Sequence, residues 1–153
     1  MEISRVLTPN LIIYPLEATS KEEVISALVD RLYDEGKITD PDSAKKAVID
    51  RENLMSTGVG RGIALPHGKY SESDDVFISV GISPEGIDFA AIDNKPVHIF
   101  VLLLTPERFP RKHLEPLSRF SRLLNSTKCR EDLMNAKTPE EIAQIFSCYD
   151  AAV

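Results

Sequence analysis

Residues 97–105 read VHIFVLLLT, an apolar run broken only by His98. It is far shorter than the ~20 residues that a bilayer-crossing helix needs. It also lacks the strict alternation of a strand with one wet face. The run therefore predicts a strand covered on both faces, which requires a layer of helices above and below the sheet that contains it.

The flanking segments supply those helices. Ser20-Lys-Glu-Glu23 has the capping-box pattern, and Val24, Ile25, Leu28, Val29 and Leu32 follow at helical spacing until Gly36 offers a stop. Asp40-Pro41 supplies an N-cap and a first-turn proline for a second helix through Ala44, Ala47 and Val48 toward Leu54, with Arg51 in its last turns. Residues 63–65, too short for a helix before Pro66, read as a strand entering His67, and residues 76–83 as a longer one closed by turn chemistry at Pro84-Glu85-Gly86. From Lys112 the helical period returns through Leu114, Leu117, Phe120 or Ser121, and Leu124, and Thr138-Pro139-Glu140-Glu141 caps a last helix carrying Ile142, Ile145 and Phe146. Helices precede, interrupt and follow the strands. The expected architecture is α/β, a single layered domain spanning 1–153 with one mixed β-sheet flanked by helices on both faces.

Bulk properties remove several classes of function. The formal charge is -6 with no run of lysines or arginines, which takes away the electrostatic footprint of a nucleic-acid binder. The first residues, MEISRVLTPN, have no basic segment leading into an apolar core and a cleavage site, so the expectation is a cytoplasmic protein with no membrane insertion. Cys129 and Cys148 show no CxxC spacing; they read as two reduced thiols and not as a zinc site or a disulfide.

The chemistry concentrates in residues 57–69, TGVGRGIALPHGK. Gly58, Gly60 and Gly62 have GxGxG spacing and follow a predicted helix, whereas a dinucleotide site wants GxGxxG after a strand. A P-loop fails too, because Gly62 and Gly68 are one residue too far apart and Tyr70 stands where a magnesium-binding hydroxyl belongs. The glycines then serve either a close approach to an anion or a plain tight turn. His67, between Pro66 and Gly68, is better placed for chemistry than an ordinary histidine, since an imidazole accepts a phosphoryl group when its tautomer is fixed and one nitrogen is exposed. Arg61 and Lys69 flank it and raise the local positive potential, or are solvated loop residues. Ser56 and Thr57 offer hydroxyls to a phosphoryl group or cap the loop. His98 shares a strand face with Phe100 and Leu102 and reads as structural.

The segment from Arg51 to Lys69, RENLMSTGVGRGIALPHGK, resembles the phosphorylation-site segment of enzyme IIA domains of the fructose/mannitol class, from the bacterial phosphoenolpyruvate-dependent phosphotransferase system. The similarity extends through LTPNLI, GIDFAAIDNKPVHIFVLLLTP, HLEPLSRFSRLL and TPEEI, and the nitrogen-regulatory branch is particularly similar at AIDN-x-PV. The resemblance implies that His67 receives a phosphoryl group from an HPr-like phosphohistidine carrier. It implies that Arg51 is the arginine beside that histidine and that His113 is a second active-site histidine. It implies neither metal nor nucleotide cofactor. Downstream it implies either an enzyme IIB cysteine, in sugar uptake, or regulatory target proteins that distinguish the two phosphorylation states. With no IIB, IIC or HPr segment in this chain, the regulatory kind is the favoured expectation.

Overall fold

In the computed structural model, which describes residues 2–108 and 111–152 but not the side chains of 111–113, the apolar run becomes β6, Val97–Pro106. This is the central strand of a mixed six-stranded sheet. On one side it pairs antiparallel with β5, Phe77–Ile87, placing Val101 opposite Val80. On the other it carries two short parallel strands in succession: β3, Ile63–Ala64, opposite Ile99 and Phe100, then β4, His67–Tyr70, opposite Leu103 to Pro106. β1, Ile12–Ile13, extends the sheet beyond β5, and β2, Gly58–Gly60, closes the opposite edge antiparallel to β3. Every residue of β6 from Ile99 onward is buried, as a strand covered on both faces requires.

Two groups of helices provide the cover. α2, Lys21–Asp34, and α3, Pro41–Leu54, pack on one another and on β5 and β4 respectively. α4, Arg111–Leu124, packs on β6 and against α5, Thr127–Asn135, and α6, Pro139–Ala151; α6 also packs on α5 and on β1, and the short α1, Ile3–Val6, rests on α6. The caps read from the sequence form as hydrogen bonds: Ser20 accepts from the Glu23 N–H, Asp40 from Ser43 and Thr138 from Glu141. None of the described helices is long and apolar enough to cross a membrane. Both thiols are free, Cys129 buried and Cys148 exposed. Burial first, then the nearby Asp132 carboxylate, pushes the Cys129 thiol up to about 11.

Two expectations about local structure are corrected. Pro84-Glu85-Gly86 does not end the strand; β5 runs through it with a register shift between Ile82 and Ile87. Ser83 Oγ accepts from the Gly86 N–H, and Gly86 sits at φ +85 so close to Pro96 and His98 that a Cβ would lie 2.8 and 2.9 Å from them. The tertiary contact thus makes a bulge of what reads locally as a turn. Likewise His67 is not the residue after a strand but the first residue of one.

β4 is anchored at its far end by Tyr70, whose buried hydroxyl accepts from the backbone N–H groups of Thr39, at 3.1 Å, and Asp40, at 3.0 Å. Tyr70→Phe leaves those donors at the start of α3 without their partner. The expected cost is about 1–3 kcal/mol in urea unfolding, with phosphoryl acceptance by the folded fraction unchanged; full stability in the variant would mean that water replaces the hydroxyl.

Candidate functional site

His67 owes its setting to the break between β3 and β4. Pro66 donates no hydrogen bond, but its carbonyl accepts from the Leu103 N–H at 3.0 Å, holding the chain to β6 across the break. The half-buried ring of His67 turns back so that Nδ1 lies 2.8 Å from the Leu65 carbonyl oxygen. A carbonyl only accepts, so Nδ1 carries the proton and the lone pair resides on Nε2. Burial lowers the basicity of this imidazole below the ordinary histidine value; the Leu65 carbonyl opposes the shift, the Arg51 cation adds to it and the Glu52 carboxylate opposes it. At neutral pH the ring is therefore uncharged with a fixed tautomer, a form in which an imidazole is chemically able to act as a nucleophile.

Gly68 brings this strand against α3. A Cβ there would lie 2.9 Å from the Val48 nitrogen and 3.0 Å from the Ala47 carbonyl carbon, both backbone atoms that cannot yield. The close approach places the next turn of α3 beside the histidine. Ala47, Arg51, His67, Gly68 and Lys69 together line an open cavity of about 360 Å³. Two of the sequence-derived residues, His67 and Arg51, thus share one cavity, joined by the exposed Lys69. Arg51 is half-buried and donates from Nη1 to the Met55 carbonyl at 3.0 Å, leaving further N–H groups of its planar fork to meet an anion. His113 falls in the first turn of α4, and its side chain lies outside the described residues.

The remaining residues of the glycine segment do structural work. Gly60, Arg61 and Gly62 have φ values of +94, +58 and +78 and form the turn of the β2–β3 hairpin, so the tight-turn reading holds for these glycines. The Arg61 N–H is held by Asp93, and its guanidinium donates to Asn125 at the end of α4, away from the cavity that contains His67. Ser56 Oγ donates to the Phe89 carbonyl and Thr57 Oγ1 to Glu52, so both hydroxyls organise the loop. His98 Nδ1 donates to the Ser83 carbonyl at 2.9 Å, a structural bond between β6 and β5.

Glu52 was not marked by sequence reasoning. The residue is only 3% exposed, yet its carboxylate is fully engaged: it accepts from Thr57 N at 2.9 Å, from Thr57 Oγ1 at 2.5 Å and from Lys21 Nζ at 3.1 Å. A signal was available, because Ala44, Val48 and Glu52 recur at i, i+4 and i+8, which puts a charge on the buried stripe of α3.

The chain resembles known proteins along most of its length. Residues 5–148 match the family described as "Phosphoenolpyruvate-dependent sugar phosphotransferase system, EIIA 2". The chain is 35% identical over 150 residues to the fructose-specific EIIABC component of Bacillus subtilis, covering 98% of this chain but 24% of that protein, so it spans about a quarter of that relative's length. It is 34% identical over 146 residues to the fructose-specific EIIA component of Haloferax volcanii, with 95% of each chain covered. The crystal structure of nitrogen regulatory protein IIA-Ntr from Neisseria meningitidis superposes with a TM-score of 0.86 at 30% identity, over 94% of this chain and 98% of that one. With the family matched across nearly its whole length, the chain belongs to the EIIA 2 family of the phosphoenolpyruvate-dependent sugar phosphotransferase system.

Proposed function

We propose that this chain is a phosphocarrier of the phosphotransferase system and that His67 Nε2 is its phosphoryl acceptor. The observation that carries the reading is the 2.8 Å contact of Nδ1 with the Leu65 carbonyl, in a ring that shares its cavity with Arg51 and Lys69. Nε2 attacks phosphorus in line, the bond from phosphorus to the carrier imidazole breaks, and that electron pair returns to the carrier nitrogen. As the new N–P bond forms, the ring gains positive character, which the Leu65 carbonyl stabilises through Nδ1–H. Arg51 and Lys69 meet the negative charge spread over the phosphoryl oxygens. His113, in the first turn of α4, is the second histidine of the site in this reading.

The phosphoryl donor is an HPr-like carrier, and the whole chain acts as one enzyme IIA unit in the cytoplasm. Leu54 and Met55, 82% and 68% exposed at the end of the helix that bears Arg51, suit the apolar part of a protein interface next to the reacting group. Two fates for the phosphoryl group follow from the relatives: delivery to an enzyme IIB cysteine, as the fructose-specific proteins suggest, or partner selection by phosphorylation state, as the nitrogen regulatory protein suggests. Charging the protein from phosphoenolpyruvate, enzyme I and HPr, then adding IIB and membrane fractions with fructose or mannitol, separates them. Discharge with formation of sugar phosphate is the transport outcome; retention of the label with altered partner capture is the regulatory one. A protein that takes up no label defeats both.

A further inference from the structure

The C-terminal turn of α3 is held by two consecutive side chains that point different ways. Arg51 donates outward to the Met55 carbonyl, while Glu52 reaches inward to the backbone and hydroxyl of Thr57. The segment between these anchors is only Met55-Ser56-Thr57, so fixing Thr57 also fixes the Met55 carbonyl on which the guanidinium rests. Around the buried carboxylate the framework is continuous. Lys21, at the start of α2, pairs with it and lies 4.9 Å above the Phe89 ring, and Ser56 Oγ donates to the Phe89 carbonyl. Gly58 follows directly, so close to Ala91 that a Cβ would sit 2.8 Å from the Ala91 Cβ. The start of α2, the end of α3 and the Thr57 loop therefore meet on one carboxylate, and the segment at Phe89 and Ala91 packs against the groups around it.

We infer that Glu52 is a positioning residue for phosphoryl transfer: through Thr57 it sets the loop whose Met55 carbonyl orients Arg51 toward the phosphoryl group on His67. The inference rests on the phosphoacceptor reading of His67. A carboxylate this deeply buried is costly unless every oxygen is engaged, and a pair from Lys21 alone would satisfy it without dictating the loop. The two bonds from Thr57 do dictate it. An aspartate is too short to reach both Thr57 and Lys21 from the same helical position, and a glutamine removes the charge that Lys21 pairs with and can hold the Thr57 hydroxyl only by reversing that bond, its amide N–H donating to Oγ1.

The test is rapid-quench transfer from phosphorylated HPr to wild type, Glu52→Gln, Thr57→Val and Thr57→Ser, each across a range of carrier concentrations and at a temperature where all are folded. Misplacing an oriented group by about 1 Å costs up to roughly 100-fold in rate. The expected result is a transfer rate at saturating carrier that is about 10- to 100-fold lower in Glu52→Gln and Thr57→Val, a half-saturating carrier concentration that does not move, and recovery in Thr57→Ser, which restores the hydroxyl. A merely structural role would lower the melting temperature of both variants and leave the folded protein's saturating rate at the wild-type level, and that result overturns the inference. Should Glu52→Gln fail to fold, the Thr57 pair decides alone, since valine keeps the shape and serine the bond. Wild-type protein that accepts no label would instead refute the reading of His67, a distinct failure.

Discussion

His67→Ala is expected to take up no acid-labile phosphate from phosphoenolpyruvate, enzyme I and an HPr-type carrier, against complete labelling of wild type. The reason is specific to this ring. Its Nδ1–H is committed to the Leu65 carbonyl, which puts the lone pair on Nε2 of a ring that shares its cavity with Arg51 and Lys69, whereas His98 spends Nδ1 on tying β6 to β5. Mass-spectrometric mapping of the label checks the site, and labelling of the alanine variant at the wild-type level would end the proposal. The pH dependence follows from the lowered basicity of the buried ring, relative to its ordinary value of 6.5. The neutral, nucleophilic form persists to more acidic pH than it would in a solvated histidine, so acceptance should hold as pH falls through the ordinary histidine range and decline below it. Stability moves the other way. Below pH 6.5 the unfolded chain binds a proton that the folded ring resists, so His67 contributes a loss of stability on acidification that is absent above that pH. His67→Ala should remove this part of the acid dependence in urea titrations between pH 5 and 7, and an unchanged slope would mean that the ring is as easily protonated in the fold as out of it.

Arg51→Ala is the second large effect. Removing one charged donor that acts on the transferring phosphoryl group should slow transfer from the carrier by on the order of 100-fold or more. The fold has little at stake, since among the described residues the side chain makes a single hydrogen bond, to the Met55 carbonyl at an open edge of the molecule. That bond contributes about 1 kcal/mol, a melting shift of a few degrees. Arg51→Lys keeps the charge but loses the planar fork that can hold Met55 and the phosphoryl oxygens together, so it should recover only part of the rate. A wild-type rate in Arg51→Ala would reduce the residue to a cap on the end of α3, where a cation is favoured anyway.

Much of the architecture was legible in the sequence because it depends on local patterns. The buried run at 97–105, the capping residues Ser20, Asp40 and Thr138, and the helical stripes behind them lead to β6, α2 and α3 within a residue or two and to the start of α6. α5 was not legible: its nine residues bury only Cys129 and Leu133, too little apolar periodicity to stand out from a polar segment, although Ser126 caps it. β1, β2 and β4 were missed for a related reason, since strands of two to four residues gain their identity from the neighbours they pair with.

The site divides along the same line. The amino-acid sequence by itself determined that His67 lies between a proline and a glycine, that Arg51 lies near the end of a helix, and that no nucleotide motif fits between them. These are facts of order and spacing along the chain. Only the tertiary structure decided that Gly68 lets β4 press against Ala47 and Val48, that Arg51 and His67 consequently face one cavity, and that the proton of His67 belongs on Nδ1. It also decided that Glu52 belongs inside and Arg61 outside, although both are charged residues within a few positions of the same loop. Partners distant in the chain made those choices: Lys21 reaches Glu52 from 31 residues away and Asn125 reaches Arg61 from 64. A buried charge is tolerable only where such partners converge, and their convergence exists only once the chain is folded.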